Sequence, residues 1–154
     1  LKIKPDTVAL VPEKRKELTT EGGLNVLHNK RQIKKAVEII QDKGIPVSLF
    51  INPTIEDVAI SKEIGASMVE IHTGLYANAK GRRKKDELAR VKKAVKLALG
   101  LGLVVNAGHG LNYSNVKKIA SIEGLRGLYI GHSIISRAVF AGMEKAVREM
   151  KNLL

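Results

Sequence analysis

Along the chain, short apolar runs alternate with longer stretches in which apolar residues return every three or four positions. Residues 7–11 form the first apolar run, and a polar loop then leads to a helical stretch over about 29–43. There Ile33, Val37 and Ile40 make one stripe, the spacing of a helix with one buried face. Gly44 stops it as a glycine just beyond a helix end does. A second run at 47–51 precedes a loop through Asn52 and Pro53 and a helix over about 54–64, with Thr54 as N-cap and Gly65 as terminator. The third unit is a run at 68–71, a polar loop and a long helix over about 84–101. The fourth is a run at 103–106 followed by a helix starting near 113–115, and the fifth a run at 128–130 followed by a helix over about 133–153.

Strand–helix units repeated in this way imply right-handed crossovers and a parallel sheet, hence an α/β protein. An open nucleotide-binding sheet carries a GxGxxG turn after its first strand, and that turn is missing here. The informative glycines come late, after the fourth and fifth strands. TIM barrels place phosphate sites in the loops after their last strands, so the expected fold is a (β/α)8 barrel. A whole barrel needs eight units and roughly 200–250 residues. These 154 residues therefore read as a single domain, 1–154, holding about the last five βα units, with three N-terminal units absent. The start at Leu1 rather than Met points the same way, to a longer polypeptide.

Composition narrows the chemistry. Aromatic residues are 3% of the chain, so the core is built from branched aliphatics and alanine, as suits helices on parallel strands. Without cysteine there are no disulfides, thiolate nucleophiles or thiolate zinc sites. No apolar run reaches the length of a membrane span, and the opening residues lack a leader's apolar segment; a cytoplasmic address is expected. The net charge of +12 would suit an anionic partner. However, the basic residues gather in helical stretches, at Lys30, Arg31, Lys34 and Lys35, again at 82–85, and at Lys92, Lys93, Lys96, Lys117 and Lys118. Such runs read as solvated outer faces. Neither zinc-finger spacing nor an aromatic RNA-binding segment accompanies them, so neither nucleic acid nor membrane is an expected partner.

Four segments carry candidate chemistry. In 106–111 a strand ends in Gly108, His109 and Gly110; the glycines admit close backbone approach to a ligand, and the histidine exchanges protons near neutral pH. In 130–134 the next strand ends in Gly131 and His132 before a helix, whose N-terminal amides suit a phosphate. In 69–74, Glu70 and His72 share one strand face. A carboxylate on such a strand either pairs with an interior Lys or Arg or has a function, and His72 is either orienting or structural. The fourth segment, 10–23, is long, polar and glycine-rich, as are substrate-holding loops. There Thr19 and Thr20 offer hydroxyls, while Lys14 and Arg15 either meet an anion or pair with Glu13 and Glu17. His28 reads as a capping or surface residue, and Tyr76 and Tyr113 as packing residues.

Taken in order, the motifs LVPEKR at 10–15, TTEGG at 19–23, VSLFI at 47–51, EIHTG at 70–74, NAGHG at 106–110 and IGH at 130–132 resemble those of the pyridoxine 5′-phosphate synthase family. The resemblance runs from Val8 nearly to the C-terminus. It implies a (β/α)8 barrel with extra helices, assembled as a homo-oligomer in the cytoplasm. Its implied substrates are 3-amino-2-oxopropyl phosphate and 1-deoxy-D-xylulose 5-phosphate, and its products pyridoxine 5′-phosphate, inorganic phosphate and water, with no redox cofactor or metal. By position, His109 corresponds to the family's proton donor and Glu70 to its transition-state-stabilising carboxylate. Thr19 and Gly110 match substrate contacts, and Gly131 with His132 the phosphate-binding turn. The family's Asn-x-Asp-His and His-x-Arg motifs and a further catalytic glutamate have no counterpart in this sequence.

Two other readings compete. Another phosphate-binding barrel enzyme is possible in outline, but a strand-end lysine for aldolase chemistry is missing. Alternatively, a non-catalytic barrel fragment would bind phosphorylated ligands and self-associate through open sheet edges.

Overall fold

Five parallel strands, β1 (Val8–Leu10), β2 (Val47–Ile51), β3 (Met68–His72), β4 (Val104–Gly108) and β5 (Gly127–Tyr129), pair side by side in chain order. The structure, a computed structural model, describes residues 3–12 and 22–154. Between and after the strands come α1 (Lys30–Gln41), α2 (Ile55–Ile64), α3 (Gly74–Asn78), α4 (Gly81–Gly100), α5 (Lys117–Ala120), α6 (His132–Ala141) and α7 (Met143–Lys151). A doubly wound sheet reverses its strand order at a switch point. Here the order never reverses, so successive crossovers of one hand leave their helices on one face of the sheet.

The strand register confirms this two-faced arrangement. Val47, Leu49, Ile51, Val69, Ile71, Val105 and Ala107 join the hydrophobic core, together with Ile33 and Val37 of α1, Val58 and Ile64 of α2, and Val91 and Val95 of α4. Alternation sends the intervening residues to the other face, where Phe50, Glu70, Asn106 and Gly127 stand in one register row. That second face is the inner wall of a barrel-type sheet, and it is not closed: among the described residues β1 pairs with β2 alone and β5 with β4 alone. Inner-wall Val104 and Tyr129 are accordingly 36% and 51% exposed.

Helix ends follow local chemistry. The Thr54 hydroxyl accepts the Asp57 N–H at 3.1 Å, and Gly65 ends α2 in the left-handed region at φ 91°, both as the sequence indicates. Three elements differ from expectation. The loop expected after β3 contains α3, held by buried Tyr76, whose hydroxyl donates to the Asn115 carbonyl at 2.7 Å. No helix starts at 113–115, because the Asn112 side-chain oxygen accepts the N–H groups of Ser114 and Asn115 and holds a turn instead; only the short α5 follows. The single final helix is two, broken at Gly142, whose backbone at φ 79° and ψ 153° lies outside helical geometry.

Candidate active site

The C-terminal ends of β3, β4 and β5 and the N-terminus of α6 surround a cleft of about 550 Å³. Its walls include Phe50, Glu70, His109, Gly110, Gly131 and His132, so the candidates from three separate sequence segments meet at one place. Thr19 and its neighbours in 13–21 lie outside the described residues.

Glu70 is 8% exposed at the middle of the inner wall. The ion pair that would make it structural is not there: among the described residues it has neither a salt-bridge partner nor a hydrogen-bond donor. Burial disfavours its charged form and pushes its pKa up to about 7. The room for its carboxylate is made by Gly108, because a Cβ there would collide with Glu70 Oε1 and lie 2.9 Å from the Tyr129 carbonyl oxygen. The glycine read as a ligand-approach residue thus serves the neighbouring side chain.

His109 sits at φ 77°, in the left-handed region, where a residue with a side chain is held at a cost of order 1–3 kcal/mol by its surroundings. Those surroundings are visible. Buried Thr73 shares its one hydroxyl proton between the Gly108 and His109 carbonyls, each at 2.7 Å, and its N–H donates to the Gly108 carbonyl at 2.8 Å. On the far side, buried Asn115 donates to the Gly110 carbonyl at 3.2 Å. Burial and then the nearby His132 lower the pKa of His109, because both disfavour the charged imidazolium.

Gly131 caps α6 without a side-chain hydrogen bond, and no acidic residue stands in the helix's first turn. Nothing lies within 4 Å of where a Cβ would stand on Gly131. The Ser133 hydroxyl turns away to the Leu111 carbonyl at 2.9 Å, tying the two strand-end loops together. The end of a helix with its dipole uncompensated on a cleft favours an anion.

Thr73 and Asn115 escaped sequence reasoning because small polar side chains in loops give no pattern; their role is set by partners 35 to 39 residues away or hidden in one turn. Phe50, Tyr129 and Ser136 also line the cleft and read from sequence only as parts of their elements. Among the described residues no three histidine or acidic side chains gather as a metal-ligand set. His28 is exposed, as expected of a surface residue.

Fold and site together define a barrel-type α/β protein whose polar residues converge at the strand C-termini, where such folds carry their active sites. In fold the chain is similar to the tryptophan synthase A-subunit of the hyperthermophile Pyrococcus furiosus, a TIM barrel: TM-score 0.54 at 19% identity, covering 96% of this chain and 53% of that one. All of residues 1–154 match the family described as pyridoxal phosphate biosynthesis protein PdxJ, and the chain belongs to that family. It is 65% identical over its whole length to a pyridoxine 5′-phosphate synthase of Thermodesulfovibrio yellowstonii, and covers 64% of that relative. It is 54% identical to another of Syntrophotalea carbinolica, again over all of this chain and over 65% of the relative. The chain thus spans slightly less than two thirds of these relatives' length.

Proposed function

We propose that this chain supplies the proton-transfer and phosphate-binding half of a pyridoxine 5′-phosphate synthase, a cytoplasmic homo-oligomeric enzyme. It would join 3-amino-2-oxopropyl phosphate to 1-deoxy-D-xylulose 5-phosphate, releasing inorganic phosphate and water. The observation that carries the reading is the convergence of Glu70, His109 and the open N-terminus of α6 on one cleft. Five βα units with, among the described residues, two open sheet edges fit an eight-unit barrel completed by three further units.

The division of labour follows from the environments. Imine formation, dehydration and ring closure each require a proton moved at a defined atom. His109 acts as proton donor to leaving oxygen, its backbone locked by Thr73. Glu70, poised near pH 7 by burial, stabilises the positive charge that develops as an amine adds and becomes an imine. Gly110 exposes backbone to the substrate, and Gly131 with His132 takes a phosphate at the head of α6. Thr19 contributes a hydroxyl contact to substrate. Anchored phosphates convert a two-substrate condensation into reaction between held groups.

The test is product formation by the purified protein with both substrates. His109→Asn and Glu70→Gln should each lower kcat by roughly a hundredfold or more, the usual worth of a general acid or a preorganised charge. Unchanged turnover in both variants would refute the assigned roles.

One observation favours the second reading for the chain on its own. Ile135, Val139 and Phe140 of α6 are 54%, 76% and 89% exposed, and among the described residues both sheet edges are open. By itself such a surface promotes self-association.

A further inference from the structure

His72 lies directly behind the cleft and is 3% exposed. It does not line the cleft, and among the described residues neither ring nitrogen has a hydrogen-bond partner. A buried imidazole with both nitrogens unpaired costs stability, and an apolar residue would fill the same space without that cost. Its contacts suggest what offsets this. The His72 ring meets Phe50 edge-on at 5.3 Å between centroids, and meets His109 at 5.0 Å with the planes tilted by 47°. Phe50 and His109 are themselves 6.4 Å apart, so the three rings form one packed triangle.

Gly74 completes the seat. A Cβ on Gly74 would lie 2.5 Å from His72 Nε2 and 3.1 Å from His109 Cδ2, so the glycine floor lets both rings settle together. Thr73, next to His72 in sequence, holds the backbone of His109. Residues 72–74 therefore control His109 twice, its main chain through Thr73 and its ring through His72.

We propose that His72 is a positioning residue for the reaction, a flat wedge between Phe50 and His109 that fixes the plane of the His109 imidazole towards the cleft. This rests on the reading of His109 as the proton donor. Burial, and then His109 itself, hold the pKa of His72 down at about 4, so it stays neutral at working pH and leaves proton uptake to His109. The titratable groups that share the cleft with His109 are Glu70 on β3, Tyr129 on β5 and His132 on α6, and His72 on β3 meets its ring from behind; Phe50 on β2 and Gly74 on α3, which also face that ring, bring none.

The test uses His72→Phe, which keeps a flat ring, and His72→Leu, which keeps apolar volume without one. NMR of the four histidines is recorded across pH, beside product formation. In the parent and the Phe variant, His109 ring protons should show contacts to Phe50 and a titration midpoint below the ordinary value. In the Leu variant those contacts should weaken, the midpoint should rise, and kcat should fall roughly ten- to a hundredfold with KM nearly unchanged, as for a misplaced catalytic group. An identical His109 signature and midpoint in parent and Leu variant would overturn the proposal. The NMR arm judges it even if the parent forms no pyridoxine 5′-phosphate, a result that would count against the functional reading instead.

Discussion

Glu70 stores a cost that a pH titration can read. Its carboxyl moves from the ordinary 4.5 to about 7 on folding, so between those values the folded state holds a proton that the unfolded state has released. Stability from this group therefore falls as pH rises from 4.5 to 7, and at about 1.4 kcal/mol per pH unit the loss amounts to about 3 kcal/mol. Glu70→Gln abolishes the titration. Denaturant unfolding should show the variant gaining on the parent by up to that amount between pH 4.5 and 8. His72 works in the opposite sense. Its pKa falls from 6.5 to about 4, so its penalty is largest below pH 4 and is gone above 6.5. A stability difference between Glu70→Gln and parent that does not vary with pH would mean that Glu70 is solvated or paired. Gly108 belongs to the same scale. Gly108→Ala would press on the Glu70 carboxylate and the Tyr129 backbone, and overpacking of this kind costs about 1–3 kcal/mol. A thermal melt should show that loss, and activity should fall with it because Glu70 must move.

Among the elements, the connection from β3 into α3 ties the third strand to the fourth. Thr73 holds the carbonyls of Gly108 and His109, and Tyr76 holds the Asn115 carbonyl. Thr73→Val keeps shape but leaves buried acceptors short of a donor, a loss of about 1–3 kcal/mol. Urea unfolding should report that decrease, and turnover should drop further than stability explains, since His109 loses the restraint on its left-handed backbone. This scale also shows what the sequence makes legible. Strands and the α1, α2 and α4 helices announce themselves, because each buries one face and its apolar period records that face. The short α3 carries no period; a hydrogen bond from Tyr76 to a residue 39 positions on decides it. The turn at 112–115 is a competition between a side chain and the backbone for the same N–H groups, which hydrophobic pattern does not register. Glycines at strand ends drew the sequence reading to the segments that line the cleft, yet Gly108 is needed for Glu70 and Gly74 for His72 and His109, pairings visible only once the strands lie side by side.

At the scale of the molecule, the strand order β1-β2-β3-β4-β5 wraps helices over one face and leaves the other as an unclosed inner wall. Barrel topology was inferable from the absence of an early glycine-rich turn and from the late glycine–histidine turns. The extent of the chain's open surface was not, since it depends on which faces find partners. Exposed Val139 and Phe140 on α6 and the two strand edges left unpaired among the described residues predict that this chain alone associates with itself. Light scattering after size exclusion should give a mass above 16.8 kDa that rises with concentration. Val139→Lys with Phe140→Glu should shift it towards the monomer. A stable monomer at every concentration would show that these edges are protected.

The central claim, that the cleft at the ends of β3, β4 and β5 runs proton chemistry on phosphorylated substrates, is tested most directly by one pH–rate profile. Pyridoxine 5′-phosphate formation would be followed from both substrates, using the protein purified at its full cellular length, for parent and Glu70→Gln. The account predicts that the parent forms product, with activity lost as pH falls through about 7 as Glu70 takes up its proton. In Glu70→Gln the rate should be at least about a hundredfold lower, and that acid limb should be absent. Parent and variant profiles of equal height and shape would contradict it.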